Sequence, residues 1–287
     1  MDEKIVVQFW GVRGTLPVSG KQNVRYGGNT SCITLNFKKH FFIFDAGTGI
    51  KSLSTYLEQQ GKKPISAKIF ISHSHHDHIN GFPFFAPLYS KDNRFEIFGT
   101  PHGDVDIKQI LSQQMNSIYF PITLRELLAT LTFRNLSEET FEIDDVTVKT
   151  IFLNHPGRCL GYRIQYQNKS FCYITDNELP LENSPDFNPN DVDKLIQFIH
   201  GADIVVMDTT YSDKEYLCKI HWGHSSVSRV IDIVDAAKVK LVCLFHHDPD
   251  QTDKEIDEKL AYAKALLKKR RSKTKCIAPS DGDKLYI

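Results

Sequence analysis

Ile69-Phe70-Ile71-Ser72-His73-Ser74-His75-His76-Asp77-His78 decides how this chain is read. An apolar run with the character of a buried strand is followed at once by the pattern H-x-H-x-D-H. In an extended segment alternate side chains share a face, so His73 and His75 reach the same side and can meet one ion. Asp77 and His78 are adjacent and diverge, which suits a second ion beside the first. Imidazoles with a carboxylate are the donor set of Zn²⁺, with Mn²⁺ or Fe²⁺ as the other candidates. The plain alternative is a solvated, His-rich turn. The apolar strand before the motif and Gly81 after it argue against that, because they make the histidines the rim of a rigid element.

Working outward, other runs end in the same way. Thr150-Ile151-Phe152-Leu153 leads to His155, and Phe171-Cys172-Tyr173-Ile174 leads to Asp176. Ile204-Val205-Val206-Met207 leads to Asp208, and Leu241-Val242-Cys243-Leu244-Phe245 leads to His246. A strand has to stop at something polar, so one such ending means little, but the recurrence gathers metal-binding and proton-moving groups at the ends of sheet strands. Further strands are predicted over 5–12, 32–37, 41–44, 146–153 and 161–166. Helices are predicted over 49–60, 104–116, 124–129, 226–237 and 253–269. The last helix has Ile256, Leu260, Ala263 and Leu267 on one face and a capping box from Thr252 to Glu255. Strands interleaved with helices indicate a layered α/β chain.

Composition narrows the classes. Of 287 residues 41% are hydrophobic and 24% charged, so the chain can build a large core and is not a disordered tract. Lys+Arg and Asp+Glu are both 35. A protein that grips long nucleic acid through its phosphates carries a basic excess, and this one has none. The six cysteines are scattered without a C-x-x-C pair, which points to a reduced compartment rather than to a disulfide scaffold or a cysteine zinc site. The opening Met1-Asp2-Glu3-Lys4 lacks the pattern of a secretory signal, and no apolar window is long enough to span a membrane. A cytoplasmic protein without a membrane partner is the expectation.

These motifs resemble the metallo-β-lactamase fold of metallohydrolases, and the resemblance runs over nearly the whole chain because the later motifs follow in the expected order. It implies an α/β, four-layer αββα architecture, two packed mixed β-sheets flanked by helices, as one hydrolase domain over residues 1–287. It also implies two Zn²⁺, with Mn²⁺ as the other candidate, and no organic cofactor. His73, His75 and His155 are matched to the first ion, and Asp77, His78 and His246 to the second. Asp176 is matched to the bridging carboxylate. His247 is the other candidate for the last position.

Markers within the family narrow the reading. His78 stands where many zinc β-lactamases have Arg, and no Cys occupies the Asp176 position. His75 stands where the diiron flavoproteins of this fold carry Glu. Phe9-Trp10-Gly11-Val12-Arg13-Gly14, Tyr26-Gly27-Gly28-Asn29-Thr30-Ser31, Asp45-Ala46-Gly47-Thr48-Gly49 and Gly223-His224-Ser225-Ser226 are similar to the branch holding tRNA 3′-processing endonucleases and small-substrate phosphodiesterases. Within it the chain resembles bacterial and phage enzymes that hydrolyse cyclic phosphodiesters. These include phosphoribosyl cyclic phosphate phosphodiesterases and the proteins that degrade cyclic nucleotides to blunt cyclic-pyrimidine antiphage signalling.

The implied function is hydrolysis of a small cyclic phosphodiester, foremost a cyclic nucleotide, by a hydroxide held between two ions and oriented by Asp77. His224, ahead of a helix whose free N–H groups favour an anion, is the candidate for phosphate binding and for protonating the leaving oxygen. Asp208 would hold its imidazole, as the resemblance to a Glu–His pair implies, although Asp has the shorter reach. Asn29, Thr30 and Ser225 are candidate substrate contacts. The aromatic block Phe82–Tyr89 reads as core or dimer contact more than as a base pocket, and Lys268–Lys273 as a solvated helix end. Two alternatives stand beside this reading: a tRNA 3′-processing endonuclease, and a metal-loaded sponge that binds a cyclic nucleotide without cleaving it. The first would need a Gly/Pro-rich basic arm, whereas Pro101–Asn135 reads as helical. Family membership further implies a homodimer.

Overall fold

The computed structural model describes residues 4–61 and 64–287, so the opening Met1-Asp2-Glu3 lies outside the described residues. Two compact units form. The first takes the chain up to Val18, Gly27–Leu136 and Ser280–Ile287; the second takes Ser19–Tyr26 and Ser137–Pro279. Each contains one mixed sheet of seven strands with helices laid on it, as the α/β reading requires.

In the first unit, β1 (Val6–Gly11), β2 (Cys32–Phe37) and β3 (His40–Phe44) run antiparallel, with the C-terminal strand Lys284–Tyr286 on the outer edge of β1. Helix α1 (Gly49–Gln59) crosses to β4 (Ser66–Phe70), which lies parallel to β3. The short helix α2 (His76–Ile79), β5 (Arg94–Gly99), α3 (Ile107–Gln114) and β6 (Thr130–Asn135) follow, the strands parallel. The central strands are apolar on both faces, as parallel strands covered by crossover helices must be. Ile43, Ile69 and Ile97 pack beneath Ile50, Leu53 and Leu57 of α1 and Ile107 and Leu111 of α3. On the other face Phe70 stacks on Phe44 and Phe98 with ring centroids 5.3 and 4.8 Å apart. Phe82, Phe85 and Leu88 of the aromatic block lie in the core, while Phe84 is exposed.

The second unit begins with an antiparallel meander of β7 (Thr140–Ile143), β8 (Val146–Leu153), β9 (Cys159–Tyr166) and β10 (Lys169–Ile174). Helix α4 (Pro189–Ile199) leads to β11 (Ile204–Asp208). The order then runs α5 (Asp213–Tyr216), α6 (Val227–Ala236), β12 (Leu241–Phe245), α7 (Asp253–Lys269) and β13 (Lys275–Ile277), with β10 to β13 all parallel. Cys172, Val205, Met207, Val242 and Leu244 pack against Leu195 and Ile199 of α4, Val230 and Val234 of α6, and Ala263 and Leu267 of α7. The predicted capping box of α7 forms, with Thr252 accepting from the Glu255 N–H and Glu255 accepting from the Thr252 N–H. At its far end Arg270 pairs with Asp232, so the basic stretch is a helix terminus.

Two expectations are corrected. Leu124–Ala129 forms one 3₁₀ turn at Leu124–Glu126 rather than a helix, and Pro101–Asn135 contributes the edge strand β6 besides α3. Thr130–Asn135 is only partly covered, so its apolar residues give a weak strand signal. No helix among the described residues is long and apolar enough to cross a membrane.

Candidate metal and catalytic residues

Topology sets where the chemistry can lie. Parallel neighbours end on the same edge of a sheet, and in open α/β sheets that edge carries the site. In the first unit β3 delivers Asp45 and β4 delivers Ser72 and His73 to one edge. In the second, β10, β11 and β12 deliver Asp176, Asp208 and His246, and β8, aligned with β10 through two antiparallel pairings, delivers His155. Asp45, Asp176 and His246 adopt left-handed backbone at φ +58°, +46° and +59°, a conformation that turns the chain sharply out of the strand. For non-glycine residues each costs about 1–3 kcal/mol, held in place by the surrounding sheet.

The first unit gathers His73, His75, Asp77 and His78 around Asp45. The buried Asp45 carboxylate accepts from the Ser72 amide at 2.7 Å and the Ser72 hydroxyl at 2.8 Å. It also accepts from His78 Nδ1–H at 2.7 Å. With its own proton given to Asp45, the Ser72 hydroxyl accepts from His73 Nδ1–H at 3.1 Å. His75 packs edge-on to the His73 ring at 4.4 Å, and His78 lies 4.3 Å from it. Asp77 Oδ2 accepts from the Thr15 amide at 2.7 Å and lies 3.1 Å from His78 Nε2.

The second unit repeats the device. Asp208, fully buried, accepts from His224 Nδ1–H at 2.8 Å and from the Thr210 hydroxyl at 2.7 Å. The Thr210 hydroxyl in turn accepts from His246 Nδ1–H at 3.0 Å. Burial pushes Asp208 upward, but the charge and hydrogen bond of His224, with the charge of His246, outweigh it and hold the carboxyl below its ordinary value. His155 Nδ1–H donates to the Gly223 carbonyl at 2.8 Å, and burial lowers its pKa, which favours the neutral ring a metal needs. Asp176 faces both remaining imidazole nitrogens, with His246 Nε2 3.2 Å away and His155 Nε2 3.6 Å away. His246, not His247, is the residue brought to Asp176; His247 packs against Tyr26.

The donor set fits a divalent metal. His73, His78, His155 and His246 each have Nδ1–H engaged by an oxygen acceptor, which leaves Nε2 with its lone pair. Buried carboxylates stand beside those Nε2 atoms in both clusters. His224 stacks on His246 at 4.9 Å, and ligand atoms of Asp208, His224 and His246 lie within 4.8 Å of one another.

The other candidates are placed differently. His224 precedes the Ser226 cap of α6, so it stands ahead of the helix rather than in its first turn. Ser225 is fully buried and its hydroxyl donates to the Asn177 carbonyl, a contact that pins the loop. Asn29 bonds Asp281 and accepts from Thr48, and Thr30 Oγ1 accepts from the Thr48 amide at 2.8 Å, so both brace the loop after β3. Sequence reasoning missed Asp45, Ser72, Thr210 and Gly223 as orienting groups. Asp45 carried a usable signal, because Phe41-Phe42-Ile43-Phe44 ends on it as the other runs end on their site residues.

The chain belongs to the beta-lactamase superfamily domain family, whose profile matches residues 40–247, and its fold is that of the metallo-β-lactamases. A ribonuclease Z from Thermoplasma acidophilum is 25% identical over 261 residues, covering 74% of this chain and 78% of the relative. The metallo-β-lactamase fold protein YhfI of Bacillus subtilis superposes with a TM-score of 0.72 at 17% identity over 100% of both chains. Unliganded yeast PDE1 superposes with a TM-score of 0.70 at 13% identity, over 99% of this chain and 100% of its own.

Proposed function

We propose that this chain is a metal-dependent phosphodiesterase that hydrolyses a small cyclic phosphodiester, foremost a cyclic nucleotide, with residues 1–287 acting as one cytoplasmic hydrolase domain. In this reading His73, His75 and His155 bind one ion, Asp77, His78 and His246 bind a second, and Asp176 serves both. Bound there, Zn²⁺ or Mn²⁺ supplies charge neutralisation for the phosphoryl oxygens and lowers the pKa of the attacking water.

The chain's own residues do the rest. Asp77, its Oδ2 fixed by the Thr15 amide, orients the attacking water and takes its proton. His224 gives a proton from Nε2 to the ester oxygen as the P–O bond breaks, so the alkoxide does not leave unprotonated. Asp208 holds Nδ1–H of that ring, which aims Nε2 and stabilises the protonated form. The observation that carries the reading is this buried Asp208–His224 pair at 2.8 Å, stacked on His246. Such a pair suits an acid catalyst, because the carboxylate stabilises the protonated ring.

A small substrate is supported by the equal count of 35 basic and 35 acidic residues. A second reading, an endonuclease acting on tRNA, is favoured by the ribonuclease Z relatives. The experiment is a screen of the zinc- and manganese-loaded protein against cyclic mono- and dinucleotides, a phosphoribosyl cyclic phosphate and pre-tRNA. Release of a 5′-nucleotide from a cyclic nucleotide is expected. Turnover of pre-tRNA alone would sink the small-substrate reading, and binding without product would make the protein a sponge.

A further inference from the structure

Glu178 is buried, 6% exposed, two residues beyond Asp176, and nothing in the mechanism above uses it. Its carboxylate accepts three protein hydrogen bonds. Oε1 takes the Tyr216 hydroxyl at 2.8 Å and the His221 amide at 2.9 Å, and Oε2 takes the Gly223 amide at 2.9 Å. Its backbone is tied as well, with the Glu178 amide donating to the Asn154 carbonyl at 2.8 Å and Asn154 Nδ2 donating back at 3.0 Å. The residue therefore joins the segment that carries His155 to the segment that carries Gly223 and His224.

That junction has a chemical consequence. The segment from Leu217 to Trp222 is otherwise loosely covered, with both of these side chains 61% exposed, so its conformation needs an internal anchor. Gly223 sits at φ +82°, and the carbonyl it presents is the acceptor that fixes His155 Nδ1–H and leaves Nε2 to a metal. We infer that Glu178 is a positioning residue for metal binding by His155, acting through the Gly223 amide and carbonyl. The inference rests on the metal assignment proposed above.

Glutamine at this position has one acceptor oxygen and an amide that is itself a donor. Whichever way it turns, the NH₂ faces a backbone N–H, of Gly223 or of His221, and that hydrogen bond is lost. Loss of an outer hydrogen-bond partner typically weakens metal binding by about 10–100-fold.

The test uses zinc alone, titrated into the full-length metal-free protein against a competing chelator, with thermal unfolding of the metal-free form as the check on folding. In Glu178→Gln the zinc site that includes His155 is expected to weaken by about 10–100-fold. In a His155→Ala background the same substitution is expected to change zinc affinity little, because the link has lost its endpoint. Tyr216→Phe, which leaves both backbone donors in place, is expected to bind zinc within about threefold of the parent, since only one of the three bonds is removed. Parent-like zinc binding in Glu178→Gln, or an equal loss in the His155→Ala background, overturns the inference. If Glu178→Gln does not fold, Gly223→Ala tests the same link, because a Cβ there would lie 2.3 Å from His155 Nδ1; intact zinc binding in that variant is the overturning result. A parent protein that binds no zinc overturns the metal assignment itself, and this inference with it.

Discussion

Two buried aspartates, Asp45 and Asp208, act in the same way at the scale of single residues. Each grips one imidazole directly and a second through a hydroxyl, His78 and Ser72–His73 in one case, His224 and Thr210–His246 in the other. The difference lies in what the directly held ring does. His78 presents Nε2 beside Asp77 and is the proposed ligand, whereas His224 is the proposed proton donor. His224→Ala is therefore expected to lower kcat on the cognate diester by about 10²–10⁴ with zinc content unchanged, the usual contribution of a general acid. Asp208→Asn should lower kcat as well while retaining zinc, since the neutral amide no longer stabilises the protonated ring. Metal analysis beside steady-state kinetics checks both, and full turnover in His224→Ala with the metal in place would remove its catalytic role. His73, His155, Asp176 and His246 were legible because each follows an apolar run, and His75 and His78 because they complete the H-x-H-x-D-H pattern. Ser72 and Thr210 were not, because each is defined by a residue far away in the chain, Asp45 for Ser72 and His246 for Thr210.

At the scale of elements, the long apolar strands and the capped helix α7 were readable, since their patterns are local. The edge strand β6 and the short strand β13 were not, because three to six half-covered residues give little periodicity. Helix α4 did carry a signal in its Asn188 cap and Pro189 first turn. The turn around Asp281 shows what tertiary contact adds. Asp281 accepts from the Asn29 amide at 3.2 Å and Asn29 Nδ2 at 3.1 Å, and Gly27 leaves room for it, since a Cβ there would lie 2.2 Å from its Cγ. Burial raises its carboxyl from an ordinary 3.8 to about 7. The folded state then holds this proton more tightly than the unfolded chain, so stability falls as pH rises from about 4 to about 7 and changes no further from this source above that. Asp281→Asn keeps an acceptor oxygen and removes the titration. Its melting temperature, measured with chelator present, is expected to fall less than the parent's between pH 5 and pH 8 and to exceed it at pH 8. An unchanged pH slope would show that Asp281 is not the group responsible.

On the scale of the whole molecule the balance of charge bears on the choice between the two proposed substrates. A polynucleotide is held through many phosphates, and each contact releases counterions, so binding falls steeply with salt. For about six phosphate contacts the loss between 50 and 200 mM salt is about 10³-fold. A cyclic nucleotide presents a single diester, so the same dependence amounts to about three- to fourfold. The chain has 35 basic and 35 acidic residues, and its densest basic run closes α7, where Arg270 is already paired with Asp232. The positive charge that a phosphodiester needs would then come from the metal ions, close to the scissile group and little screened over so short a distance. For the zinc-loaded protein, kcat/KM on the proposed cyclic substrate is accordingly expected to change by less than about fivefold over that salt range. The measurement is a series of initial rates at fixed pH and fixed free zinc, with pre-tRNA run in parallel. A fall of about 10³-fold on the preferred substrate would mean that the protein grips a polyanion after all, and the endonuclease reading would take the place of the small-substrate one.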